Sequence, residues 1–321
     1  MSLDITRTTE IAIGMSKRRP FMLDLVKRLF REKPLGAFGL VVVLILLFAG
    51  IFADQLAPYA MNEIHLSDRL LPVFSPGYFL GTDHLGRDLL SNIIYGARIS
   101  VIIGLSATAL QQVIGITIGG TSALIMGKYD LIVQRIVDAV NSIPPLLILL
   151  TVMGIVGQGM IQIILVLGIT GGIRDARINR SAVIALREHT YVQASDVIGC
   201  SFLRKFIKHI IPNIMYIVII GFSIGIGGNI MQEATLSFLG FGVPPGVPSW
   251  GAMISQEGRE YIELAPQLAI WPGLALGLVI YSCNMLGDAL RDLLDPRLRG
   301  GLGRYTISKK RLEKIKARAG K

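Results

Sequence analysis

Charge is missing from long stretches of this chain: Pro34 to Ala53, Ile99 to Gly127, Ala139 to Ile173, Ile210 to Gln232 and Leu264 to Gly287. The first run, twenty residues long, extends about 30 Å as a helix, the thickness of a hydrocarbon core. The third is too long for one crossing and too short for two. The glycine turn Gly154-Ile155-Val156-Gly157-Gln158-Gly159 divides it, predicting one helix over about Leu131 to Val156 and another over about Met160 to Val183. The pattern predicts an all-α integral membrane protein of six transmembrane helices with both termini on one side. A cleaved leader is a poor alternative, because the charge-bearing stretch before the first run is over thirty residues long and no small-residue cleavage site follows Phe52 and Ala53.

Composition supports this. Of 321 residues, 52% are apolar and 17% charged, too few charges to coat a soluble surface of that size. Cys200 and Cys283 sit far apart, one in a polar loop and one in an apolar run, which speaks against a bridge between them. The net charge of +10 suits either nucleic acid or a membrane surface, and its placement decides. Of the 32 Lys and Arg, eight lie in the N-terminal arm, two between Lys128 and Arg135, seven between Arg174 and Lys208 and eleven from Arg291 onward, against four in the alternate segments. The positive-inside rule therefore puts the termini and the 174–208 loop in the cytoplasm. No base-reading or stacking module is present, so no nucleic-acid partner is expected. The expected organisation is a cytoplasmic arm (1–33), a first span with an extracytoplasmic loop (34–97), a five-helix core (98–290) and a basic tail (291–321) whose end reads as binding lipid headgroups.

Chemistry is sparse. The Gly127-Lys128 pair precedes Tyr129, and position 122 is Ser, so the phosphate loop of a nucleotide site is missing. His65, His84, His189 and His209 are scattered without ligand spacing. Glu233 and Asp288 fall at expected helix ends within reach of water, Glu233 with a plain interfacial role or one in a pathway or helix contact. No catalytic, cofactor-binding or metal site is expected in this chain.

The informative segment is the loop Glu188-His189-Thr190-Tyr191-Val192-Gln193-Ala194-Ser195-Asp196-Val197-Ile198-Gly199, leading through Phe202 to His209-Ile210-Ile211-Pro212. Tyr191, Ser195, Ile198 and Phe202 recur at helical spacing, and Ala194 and Ser195 are small enough for close approach. Gly199 ends this short helix and Ser201 caps the next. The device is either a lever passing a cytoplasmic push into a span or an amphipathic helix on the headgroups.

The spacing Gln193-Ala194-Ser195, Gly199 and His209-Ile210-Ile211-Pro212 resembles the EAA loop of permease subunits of ABC importers, with Gln193 standing for the usual glutamate, Ser195 for the second alanine and His209 for an aliphatic residue. Leu80-Gly81-Thr82-Asp83-His84-Leu85-Gly86-Arg87-Asp88, Leu236-Ser237-Phe238-Leu239-Gly240-Phe241-Gly242 with Trp250-Gly251, and Leu286-Gly287-Asp288-Ala289-Leu290-Arg291-Asp292-Leu293-Leu294-Asp295-Pro296-Arg297 are similar to the C-type subunit of the dipeptide, oligopeptide and nickel importers. The resemblance implies a type I importer fold in the cell membrane, a heterodimer with a second homologous permease, two ATPase subunits holding ATP and Mg, and an extracytoplasmic solute-binding protein. Tyr191, Gln193, Ala194, Ser195, Gly199, Phe202 and Pro212 are then the coupling residues. The chain itself is a transporter subunit and not an enzyme, and its solutes are peptides or related molecules. Gly81, Asp83, Gly86, Arg87 and Asp88 are expected to form a tight turn with internal ion pairs, and Trp250 to sit at the outer interface. An ion-coupled secondary transporter is the main rival, opposed by scarce mid-membrane carboxylates and the lack of an inverted half-repeat; a scaffold without transport activity is another.

Overall fold

The computed structural model describes residues 21–294; the N-terminal arm before Phe21 and the basic tail from 295, with its expected headgroup contacts, lie outside the described residues. The described chain forms α1 (Phe21–Glu32), α2 (Pro34–Ile51), α3 (Leu89–Ile125), α4 (Gly127–Ser142), α5 (Pro145–Val156), α6 (Met160–Arg187), α7 (Thr190–Val197), α8 (Phe202–Phe238), α9 (Trp250–Met253) and α10 (Gln267–Leu294). Four of these, α2, α3, α8 and α10, are continuous helices long and apolar enough to cross a membrane.

The single helix expected over Leu131 to Val156 is two. The chain breaks between α4 and α5 and turns by 91°. Proline forces the break: Ile143, ahead of Pro144, takes an extended conformation (φ −93°, ψ 131°), as steric clash with the proline ring demands. Pro145 then starts α5 at a position where no amide is needed. The α4–α5 pair is a fifth span only as a bent unit. The α5–α6 boundary falls at the glycine turn as expected, where Gly157 has φ +88°. α6 is long enough to cross, but Arg174, Asp175, Arg177 and Arg180 occupy its second half.

Small residues bring α3 and α6 together. Gly115 and Gly119 on one helix face Gly168 and Gly172 on the other in a parallel arrangement: Gly168 meets Leu110, Gly172 meets Ile114, and a Cβ on Gly119 would lie 2.2 Å from the carbonyl oxygen of Ala176. Two glycine pairs, each at a spacing of four, allow this backbone approach where lipid supplies no hydrophobic drive. α8 runs antiparallel to α3, with Gly221 against Gln112, Gly225 against Thr108 and Ile230 against Gly104. α10 packs on α8 and α2, Gly39 of α2 lying against the carbonyl of Ser282. At the same end as the start of α2, Lys33 pairs with Asp292.

α8 contains one π turn at Phe206–Ile210, where the amide of Ile211 donates to the carbonyl of Phe206, five residues back. Pro212 follows directly, so the turn sits where the ladder must accommodate a missing amide and the ring's clash with the carbonyl four residues back.

Candidate functional sites: a terminal lever, a polar cavity and a loop clamp

α7 stands at the end of the bundle where α3 and α6 finish and α8 starts. Val192 is fully buried and packs with Ala123, Val183, Phe206, Ile210 and Ile214. Ser195 is also buried and donates its hydroxyl to the carbonyl of Val192 at 2.6 Å. The opposite side is bare: Val197 is 90% and Ile198 83% exposed. Gln193 and Ala194 are exposed, the Gln193 side-chain amide donating one hydrogen bond to the carbonyl of Glu188 at 3.3 Å. Tyr191 and Phe202 are both 41% exposed, and Phe202 stacks on Phe206.

The expected stripe of Tyr191, Ser195, Ile198 and Phe202 is therefore not one face. Ser195 points into the protein and Ile198 away from it, because Val192 and Ser195, three apart, take the inward side. The corner is a Schellman turn: Cys200 N–H donates to the carbonyl of Ser195 and Gly199 N–H to that of Asp196, both at 3.0 Å, with Gly199 at φ +69°. Nothing lies within 4 Å of a Cβ built on Gly199, so the requirement for glycine within this chain is conformational. Ser201 occupies the capping position but its side chain makes no capping hydrogen bond; Lys205 reaches back to Asp196 instead.

In the bundle, a cavity of about 580 Å³ is lined by α3, α6, α8 and Arg291 of α10, and a second of about 440 Å³ lies toward the α4–α5 break. Both include Gln111 and Asp175. One oxygen of Asp175, Oδ2, accepts from Gln111 at 2.8 Å and from Gln112 at 3.3 Å. Asn229 of α8 completes the network, donating at 2.9 Å to Gln111 and to Thr108. Asp175 sits among the charged residues of the second half of α6. Its depth was legible in the uncharged polar residues Thr108, Gln111, Gln112 and Asn229, which interrupt two apolar runs and meet Asp175 here.

Glu233 lies elsewhere and lines neither cavity. It is 1% exposed, so its expected contact with water is corrected: Oε1 accepts from Ser237 at 2.7 Å, while Oε2 has no hydrogen-bond partner among the described residues. The packing of the α8–α10 loop back onto α8 encloses it.

At the other end of the bundle, the α2–α3 loop and the α8–α10 loop are clamped. Asp83 is fully buried, accepts the amides of Leu85 at 2.8 Å and Arg87 at 2.9 Å, and takes the Arg87 guanidinium at 2.5 Å. Arg87 also pairs with Glu257 of the other loop, and His84 stacks on Tyr261. Asp88 caps α3 through the amide of Ser91 at 2.8 Å. Gly86, at φ +77°, passes so near His65 that a Cβ would sit 1.8 Å from its carbonyl oxygen. Burial and the charge of Asp83 push the Glu257 carboxyl up to about 7, with Arg87 opposing. Asp83, His84 and Glu257 present ligand atoms within 4.8 Å of one another, but the Arg87 guanidinium bridges the two carboxylates, which makes the cluster an ion-pair clamp. Trp250 corrects another expectation: it is 2% exposed, its indole donating to the Ile93 carbonyl at 3.1 Å and its ring resting on Gly96, inside the protein and not at a lipid interface.

A bundle of apolar helices with a polar cavity, a clamped loop layer at one end and a short half-bare helix at the other defines a multi-pass membrane protein. The chain belongs to the family of binding-protein-dependent transport system inner membrane components, whose model matches residues 111–300. The N-terminal transmembrane domain of oligopeptide transport permease C matches residues 22–72. Relatives include the glutathione transport system permease protein GsiD of Pectobacterium atrosepticum, 36% identical over 91% of this chain and 96% of that one. The oligopeptide transport system permease protein OppC of Bacillus subtilis is 36% identical over 84% and 88%, and GsiD of an Escherichia coli strain 33% over 85% and 90%. The chain is thus a permease of an ABC importer, a membrane subunit and not an enzyme; family members work with a second permease, ATPases and a binding protein.

Proposed function

We propose that this chain is one half of the translocation unit of an ATP-driven importer for peptides, including glutathione-like ones, and that α7 is its contact with an ATPase. In this reading α2, α3, the bent α4–α5 pair, α6, α8 and α10 make six crossings with the termini in the cytoplasm, in keeping with the placement of Lys and Arg. A second, homologous permease completes the pathway, two ATPase subunits hold ATP and Mg, and an extracytoplasmic binding protein delivers solute to the clamped loops. The observation that carries the reading is the two-sided lever: Val192 and Ser195 root α7 among the ends of α3, α6 and α8, while Val197 and Ile198 stand bare. A partner gripping the bare side moves the rooted side, and it drives a cycle only by binding the two states with different free energies. Gln193, Ala194, Tyr191 and Phe202 flank that surface; Ser195, Gly199 and Pro212 set its shape.

The test is a gentle-detergent pull-down from native membranes with identification of the co-purifying chains. Expected are a second permease, ATPases and a solute-binding protein, with the ATPases lost and the second permease kept when Val197→Asp and Ile198→Asp are combined. Recovery of the chain alone, or uptake that survives ATPase inactivation and stops when an ion gradient collapses, overturns the proposal in favour of a secondary transporter.

A further inference from the structure

We propose that Asp175 binds a cationic group of the passing solute, a primary ammonium, in the cavity between α3, α6 and α8; this rests on the transport reading above. Depth comes first. Asp175 is held by Gln112, which packs on Gly221, and these two lie near the middles of the uncharged runs Ile99 to Gly127 and Ile210 to Gln232. A carboxylate at that level is costly unless something offsets its charge.

No cation of the described chain does so. Of the other charges on α6, Arg177 pairs with Asp138 and Arg180 with Asp130, while Arg174 donates to the Ile143 carbonyl at 2.8 Å and Arg187 to the Ala123 carbonyl at 3.4 Å. Arg291 of α10 also lines the cavity but is exposed, and Asp175 forms no ion pair among the described residues.

The uncompensated carboxylate and the acceptors around it then select the sign of the ligand. The side-chain amide donors of the network are turned inward: Gln111 and Gln112 give theirs to Asp175, Asn179 to the Asp175 carbonyl at 3.2 Å, and Asn229 to Thr108 and Gln111. Open toward the cavity that Asp175, Gln112 and Asn179 all line are the acceptors Asp175 Oδ1, Gln112 Oε1 and Asn179 Oδ1, which take no hydrogen bond among the described residues, and the first belongs to a carboxylate with no cation of its own. An ammonium group carries three donors and a charge. An anion would meet the charge of Asp175, and a neutral apolar solute would leave the acceptors unpaired.

The experiment uses the full chain with its partners in membranes. Cys200→Ser and Cys283→Ala remove the native thiols, and Ser181→Cys places a reporter on the exposed cavity wall. Cationic and anionic methanethiosulfonates report the local potential. The cation-to-anion rate ratio is expected to fall about fivefold or more on Asp175→Asn and to be kept by Asp175→Glu. Trialanine is expected to slow labelling by a neutral methanethiosulfonate, N-acetyltrialanine not to, and Asp175→Asn to abolish the difference. An unchanged ratio, or equal effects of the two peptides, overturns the inference. These readouts need neither ATP nor uptake, so they fail independently of the importer reading, which is decided by the pull-down.

Discussion

The two ends of this bundle treat their polar and apolar groups in opposite ways. In the clamp, Asp83, Arg87 and Glu257 satisfy one another across two loops, Asp88 is spent on a helix cap, and glycines fix the turns. At α7, two large aliphatic side chains stand bare, and the single ion pair, Asp196 with Lys205, is half exposed on its acidic side. A surface complete in itself suits a rigid platform that is visited and left; an incomplete one suits a permanent partner. In the proposed importer, that difference puts the lasting contact at α7 and the transient one at the clamp.

The largest expected effect would break the clamp. Arg87→Ala leaves the buried Asp83 and Glu257 without their cation and should cost about 3–5 kcal/mol, read as a large loss of thermal stability in detergent. The counterpart at the lever, Asp196→Ala, should cost less than about 1 kcal/mol. Equal losses would erase the contrast.

Next comes pH. Glu257 has its folded value raised to about 7 from an ordinary 4.5, so the folded state keeps its proton where the unfolded chain has released it. Its contribution to stability is fully present below about 4.5, declines as pH rises through the interval and is lost above about 7. Stability should therefore fall between pH 5 and pH 8 by up to about 3 kcal/mol, and Glu257→Gln should flatten that part of the profile.

Smaller again, Gly199→Val forces a branched side chain into the left-handed region, at about 1–2 kcal/mol. Membrane insertion should persist while solute-stimulated ATP hydrolysis by the assembled complex drops; unaltered stimulation would remove Gly199 from the coupling device. Smallest in stability, Val197→Ser with Ile198→Ser should stay within about 0.5 kcal/mol of the parent yet reduce ATPase co-purification. If stability drops instead, those side chains belong to the chain's own packing.

Much of the architecture was legible because lipid imposes a simple rule: uncharged runs of sufficient length become spans. The runs at Pro34, Ile99, Ile210 and Leu264 fall in continuous helices, and the glycine turn after Val156 separates α5 from α6. The rule is blind to direction. It passed over Pro144 and Pro145 because both are uncharged, although the second-order effect of proline on its predecessor bends the chain by 91°. Side-chain aim was harder still. Helical spacing drew Tyr191, Ser195, Ile198 and Phe202 into one stripe, but which side of a short helix is buried depends on neighbours distant in sequence, here Ala123 and Ile214. The same holds for Asp175, whose amide partners come from α3, and for Trp250, whose acceptor is Ile93.

The π turn ahead of Pro212 has a consequence for how such a lever is tuned. One extra residue in a helix advances everything beyond it by about 100°, so the turn acts as a phase offset between α7 and the rest of α8. Removing a single residue from Phe206–Ile210 would re-aim the lever about the α8 axis while leaving every side chain from Asn213 to Phe238 in its present orientation. If α7 meets an ATPase as proposed, a one-residue insertion or deletion at this turn changes the angle of that meeting and leaves the cavity wall from Asn213 onward as it is.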